Sequence, residues 1–233
     1  MSIINVKNVN KFYGEDVHKI DILKNIDLNV KNGEFLVIVG ESGGGKSTLL
    51  SIIGGLDRVS SGNVYWDGTD ITKLDEKKLT HFRKEHVGFV FQNYNLIQNL
   101  TVLENIEIAA ELTDSPLDCK ELIRKVGLEG KENIYPSRLS GGEQQRVSIC
   151  RALVKNPDVI FCDEPTGALD FETGIKILSL LVDMNLKYKK TIILITHNQP
   201  IADIADRVIK IRSGEIIDEK INTVRQKPDE LKW

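Results

Sequence analysis

The sequence predicts an α/β fold, with a mainly parallel sheet, an antiparallel β flank and an inserted α-helical subdomain. Three observations carry that prediction. The apolar run 35–39 is continuous, as in a strand covered on both faces, and strand-like runs recur at 159–162, 192–195 and 208–211. Ile26, Leu28 and Val30 alternate with polar residues, as in a strand with one face in water. Between about 95 and 153 apolar residues recur at helical spacing, with no strand-like run.

In chain order, the first forty residues read as β structure, and Asn32-Gly33 supplies a hairpin turn signal. Residues 47–54 look like a helix opened by the glycine-rich loop before them. A short strand is expected at 62–68, followed by a polar, charged segment through Lys84. The apolar run 87–91 stops at Gln92. Arg212-Ser213-Gly214-Glu215 reads as a turn into a final hairpin strand. The whole chain, 1–233, is expected to be one domain. Its core is 1–94 with 157–218, its helical insertion is 95–156, and 219–233 is a polar tail.

With 41% hydrophobic and 28% charged residues and a net charge of −3, the chain offers no electrostatic case for nucleic acid or anionic lipid. No run approaches the roughly 20 apolar residues of a spanning helix, and the start lacks the basic and apolar regions of a signal peptide. Any link to a membrane is expected to run through another chain. Cys119, Cys150 and Cys162 are odd in number and lack C-x-x-C spacing. They read as reduced thiols of a cytoplasmic protein, with no metal site of their own.

The chemistry concentrates in a few motifs. Gly40-Glu41-Ser42-Gly43-Gly44-Gly45-Lys46-Ser47, followed by Thr48, has the form G-x-x-x-x-G-K-[ST] between an apolar strand and a helix. Glycines let successive N–H groups turn toward phosphate oxygens, Lys46 reaches the outer phosphates and the Ser47 hydroxyl holds Mg²⁺. Asp163 and Glu164 end the apolar run 159–162. Carboxylates there are costly unless they hold a cation or a proton in transit. Asp163 is therefore the expected Mg²⁺ partner, and Glu164 the general base for water.

Ser140-Gly141-Gly142-Glu143 has capping-box spacing, and reads either as a well-made helix start or as an anion site at a helix N-terminus. Gln92 either ligates Mg²⁺ or senses the attacking water, and His197 is placed to meet a γ-phosphate. A lone Gln or His at a strand end also has ordinary structural roles. Tyr13, beside Phe12, is a candidate to stack on adenine, and either ring is equally a candidate for the core.

Together these residues resemble the nucleotide-binding subunit of ATP-binding-cassette transporters. The resemblance spans roughly residues 3–218, with every motif in family order. It implies a P-loop NTPase (RecA-like) core, with ATP and Mg²⁺ as ligands. By resemblance, Tyr13 is the adenine-stacking aromatic, 40–48 the phosphate loop and Gln92 the Q-loop residue. Ser140–Glu143 is then the signature, Asp163 the metal acid and Glu164 the base. Ala168-Leu169-Asp170 is the D-loop and His197 the switch histidine. It further implies a head-to-tail homodimer in which one chain's signature meets its partner's γ-phosphate, a separate integral-membrane permease and a place at the inner face of the membrane.

The stretches 87–92, 100–105, 165–170 and 195–198 look like the macrolide-exporter, lipoprotein-release and antimicrobial-peptide-resistance type. Lys outnumbers Arg 22 to 9, as in AT-rich bacterial genomes, which favours efflux of, or resistance to, peptides and antibiotics. Lipoprotein release and cell-division signalling are the alternatives. A non-transport ATPase of the same superfamily would need insertions absent here. Gly44 and Cys162 depart from the usual residues, and neither is expected to impair binding.

Overall fold

The computed structural model describes residues 2–14 and 18–232. Its centre is β3 (Phe35–Val39), a strand of five apolar residues all buried. Phe35, Val37 and Val39 enter one hydrophobic cluster, while Leu36 and Ile38 enter another on the opposite face. A strand sends alternate side chains to opposite faces, so a strand covered twice must be apolar throughout. The same split recurs in β7 (Val159–Asp163) and β8 (Thr191–Thr196).

A six-stranded sheet is built around β3, in the order β10-β9-β3-β8-β7-β6. Here β6 is Val87–Val90, β9 Arg207–Arg212 and β10 Glu215–Ile221. All its pairings are parallel except β9 with β10. A four-stranded antiparallel sheet, in the order β2-β1-β4-β5, covers one face. Its strands are β1 (Ser2–Tyr13), β2 (Ile20–Lys31), β4 (Ser61–Trp66) and β5 (Thr69–Asp70).

The described residues form six α-helices: α1 (Lys46–Ile53), α2 (Glu76–His86), α3 (Val102–Ala110), α4 (Cys119–Lys125), α5 (Gly141–Leu153) and α6 (Phe171–Tyr188). Each but α1 starts at a side-chain cap: Asp75, Thr101, Asp118, Ser140 and Asp170 accept from the N–H groups of their first turns. The region 95–156 contains α3, α4 and α5 and, among the described residues, no strand. None of the helices is long and apolar enough to cross a membrane.

Two expectations, the hairpin and the tail, need correction. Asn32-Gly33 is a turn but not a hairpin, because β2 and β3 lie in different sheets. Glu34 accepts from Lys31 N (2.7 Å) with Oε2 and from Arg207 with both carboxylate oxygens (2.7 and 3.1 Å), holding the chain where it passes from one sheet to the other. The polar segment before Lys84 contains α2, which buries only Leu79 and Phe82, too few for a visible period. The segment expected as a tail is docked. There β10 runs through Ile221, Asn222 donates to Ala202 O and Ala205 O, Arg225 reaches Asn185, and Leu231 is buried. Polar side chains make that docking, so no apolar pattern announced it; Trp233 lies outside the described residues.

Candidate nucleotide site

The loop between β3 and α1 keeps its shape through glycine. Gly43 and Gly45 have φ of 77° and 98°, in the left-handed region, and a Cβ on Gly40 would stand 2.2 Å from Ile211 O. Lys46 is buried and folds back, donating to Gly40 O (2.8 Å) and Glu41 O (2.9 Å). Glu41, Ser42 and Gly43 are exposed along the loop and Thr48 is half-buried in α1. Gly44 donates its N–H to Glu41 O (3.1 Å), a main-chain bond that does not depend on the residue being glycine.

Three parallel strands end together at this loop. Asp163 closes β7, and its Oδ1 accepts from Ser47 Oγ at 3.2 Å. Burial pushes the Asp163 carboxyl up; the Ser47 hydroxyl opposes that and the neighbouring Glu164 charge adds to it. Glu164 has φ of 47°, in the left-handed region that non-glycine residues seldom occupy. Its N–H donates to Ile195 O on β8 (3.0 Å). Its carboxylate accepts from Thr196 Oγ1 (3.0 Å) and from His197 N (2.9 Å), and His197 Nδ1 lies 2.9 Å from Oε1. With Glu164 as a carboxylate, Nδ1 is the ring nitrogen that donates to it.

Gln92 follows β6 and packs over Gly167, where an added Cβ would stand 3.0 Å from its Nε2. Tyr94 and Asn95 just after it also have positive φ, 60° and 50°. Arg151 of α5 holds both carbonyls, at 2.9 Å and 2.6 Å. Ser140 and Glu143 form the capping box of α5, and Glu143 is ion-paired with Lys131, which holds its carboxyl below the usual range. Gly141 abuts Tyr94 and Leu169, and Gly142 abuts Thr173. Thus the structure gathers Lys46, Ser47, Asp163, Glu164 and His197 at one place. The partners of Ser140–Glu143 are Lys131, Tyr94, Leu169 and Thr173, none of them in the phosphate loop.

Tyr13 stands apart from both groups, half-exposed, with its hydroxyl on Asp57. Of the cysteines, Cys150 and Cys162 are buried and Cys119 partly so, all free, and burial pushes the Cys150 and Cys162 thiols up. Sequence reasoning gave no role to Thr196, Asp57 or Arg151. A hydroxyl closing the apolar run 191–196 was a usable signal for Thr196. Asp57 and Arg151 act on residues 44 and 57 positions away, beyond any local pattern.

The donor set suits Mg²⁺. Ser47 and Asp163 present hard oxygens side by side, and a cation there would offset the burial that raises the Asp163 carboxyl. Among the described residues no three His, Cys, Asp or Glu could hold a metal by themselves. One carboxylate plus substrate phosphates is how Mg²⁺ is commonly held.

The family model described as ABC transporter matches residues 23–167, more than half of the chain. The putative ABC transporter ATP-binding protein MG065 of Mycoplasma genitalium is 44% identical over 235 residues, covering 100% of this chain and 50% of that protein. The chain therefore spans about half the length of the first curated relatives it matches. The bacitracin export ATP-binding protein BceA of Halalkalibacterium halodurans is 41% identical, covering 93% of this chain and 87% of that one. Among solved structures, the post-hydrolysis dimer of the ATP-binding cassette MJ0796 bound to ADP and Pi is 42% identical, with a TM-score of 0.86. It covers 94% of this chain and 98% of that chain. The chain belongs to the ABC transporter family, as an ATP-binding ATPase cassette.

Proposed function

We propose that the chain closes as an ATP-dependent head-to-tail homodimer that drives an integral-membrane permease from the inner face of the membrane, in efflux of, or resistance to, peptide antibiotics. The carrying observation is the Glu164 carboxylate, held by Thr196 and His197 one residue from the Ser47–Asp163 pair. It supports Glu164 as the base that takes the proton of the attacking water. His197 orients the carboxylate through Nδ1 and, as imidazolium, would donate from Nε2 to a γ-phosphate oxygen.

Lys46 leaves the carbonyls of Gly40 and Glu41 for the β- and γ-phosphates, and loop N–H groups 40–48 line the remainder. Ser47, Asp163 and Gln92 would hold Mg²⁺, which when bound neutralises charge on the phosphate oxygens. Gln92 links that position to the segment around 93–97, the expected contact with the permease. Tyr13 stacks on the adenine. The signature Ser140–Glu143 serves the partner's nucleotide, a reading supported by its contacts lying outside this chain's own phosphate loop and by the dimeric MJ0796 structure. The peptide cargo rests on the likeness to BceA.

Glu164→Gln tests the assignment. It is expected to retain ATP, lose hydrolysis by about 10²-fold or more, and elute as a dimer in Mg·ATP by size-exclusion chromatography. A monomeric variant that still hydrolyses ATP would refute both the base and the closure. Lys46→Ala is expected to weaken ATP binding by at least about tenfold, read by fluorescent-nucleotide titration; unchanged affinity would remove Lys46 from the phosphate site.

A further inference from the structure

We propose that Asp57 is the positioning residue for the Tyr13 ring, tying the base-stacking face to the helix that the phosphate loop opens. This rests on Tyr13 being the adenine-stacking residue. Asp57 is a hub with both oxygens in use. Its Oδ2 accepts from Tyr13 Oη at 2.7 Å, and its Oδ1 from Lys11 Nζ at 2.8 Å and Arg58 N at 2.7 Å. Lys11 is 8% exposed, and its ammonium donates also to Arg58 O at 2.8 Å and sits 4.6 Å from the Tyr13 ring centroid.

That arrangement fixes the ring in two ways. The hydroxyl tether sets the ring's direction, and the ammonium occupies one face by cation–π attraction. The ring is still 50% exposed, so its other face is the one open to a planar partner. Burial alone would raise the Asp57 carboxyl, but hydrogen bonds from Lys11 and Tyr13 bring it below its ordinary range, so it acts as a charged acceptor.

The hub is also anchored to the phosphate side. Leu56 and Asp57 donate their N–H groups to Ser51 O of α1, at 2.7 and 3.2 Å. At its other end α1 begins with Lys46 and Ser47. One short helix therefore connects the groups that meet the phosphates with the carboxylate that aims the aromatic ring. Untethered, Tyr13 would rotate freely at the end of β1 and would have to be ordered at each binding event. A ring fixed beforehand avoids that loss.

The decisive variant is Tyr13→Phe, which keeps the ring and removes only the tether. Binding of Mg·ATP and of inorganic tripolyphosphate to the full chain is measured by calorimetry for Tyr13→Phe, Asp57→Asn, the double variant and Tyr13→Ala. Tyr13→Phe and Asp57→Asn are each expected to raise the Kd for ATP roughly threefold to tenfold. The double variant should be no weaker than the weaker single, and tripolyphosphate binding should not change. Wild-type ATP affinity in Tyr13→Phe overturns the tether, as does a parallel loss of tripolyphosphate affinity, which would mean general damage to the loop. Tyr13→Ala separates the two layers. If it loses ATP affinity while Tyr13→Phe does not, stacking stands and the Asp57 role falls; if it too binds as wild type, stacking itself fails. Should Asp57→Asn not fold, the half-exposed Tyr13→Phe decides alone.

Discussion

Single residues in this cassette are often held in conformations or charge states that their neighbours enforce. Glu164 occupies the left-handed region because its N–H and carboxylate both bind the β8 end, which over-determines the backbone. His86 is a second case, away from the nucleotide. Asp158, 2.6 Å from its ring, holds the imidazolium above the ordinary histidine value, with burial opposing and the charges of Glu85 and Asp67 adding to the rise. A raised folded pKa stabilises the fold fully below the unfolded value of about 6.5, and that stabilisation fades as pH rises through the folded value. Melting wild type and His86→Gln side by side should therefore give the widest Tm gap near pH 6 and a much narrower one by about pH 9. A gap independent of pH would mean the ring acts by packing alone, against Phe82.

At the scale of elements, α5 and the segment after Gln92 behave as one piece. Arg151 meets the two carbonyls of a strained stretch, and these bonds offset the burial that lowers its own pKa. Arg151→Ala is expected to cost about 1–3 kcal/mol and to speed hydrogen exchange at 92–97, while ATP affinity is retained. Unchanged exchange there would show that Tyr94 and Asn95 keep their geometry unaided. This scale also marks how far the sequence could be read. Strands β3, β7 and β8 were visible because burial on both faces makes a run apolar, and the phosphate loop and the Asp163-Glu164 pair sit directly after two of them. By contrast, α2 shows two buried side chains in eleven residues, and α6 went unassigned. Turn chemistry misled at Asn32-Gly33, because a turn signal says that the chain bends and not which sheet receives it. Contacts such as Tyr13 with Asp57 join distant positions by single hydrogen bonds, which leave no periodic trace.

For the molecule as a whole, the two sheets are joined by a buried ion network. Arg207 of β9 is bound to Glu34 at the start of β3, to Glu219 of β10 at 2.9 Å and to Asn29 O of β2. Both Arg207 and Glu34 are nearly inaccessible. Arg207→Leu is expected to destabilise by about 3–5 kcal/mol, since Glu34 would remain buried without its partner, and Glu34→Leu added to it should restore much of the loss. Equal chemical-denaturation midpoints for Arg207→Leu and wild type would contradict this. The position of β3 has a consequence for how the protein comes into being. Its two neighbours in the sheet are β8 and β9, supplied by 191–212, whereas β3 itself leaves the ribosome at 35–39. During synthesis the phosphate loop therefore has no sheet beneath it until most of the chain has emerged, and five apolar side chains wait unpaired. Nucleotide capture is thereby expected only of a cassette whose β8 and β9 are already in place beside β3.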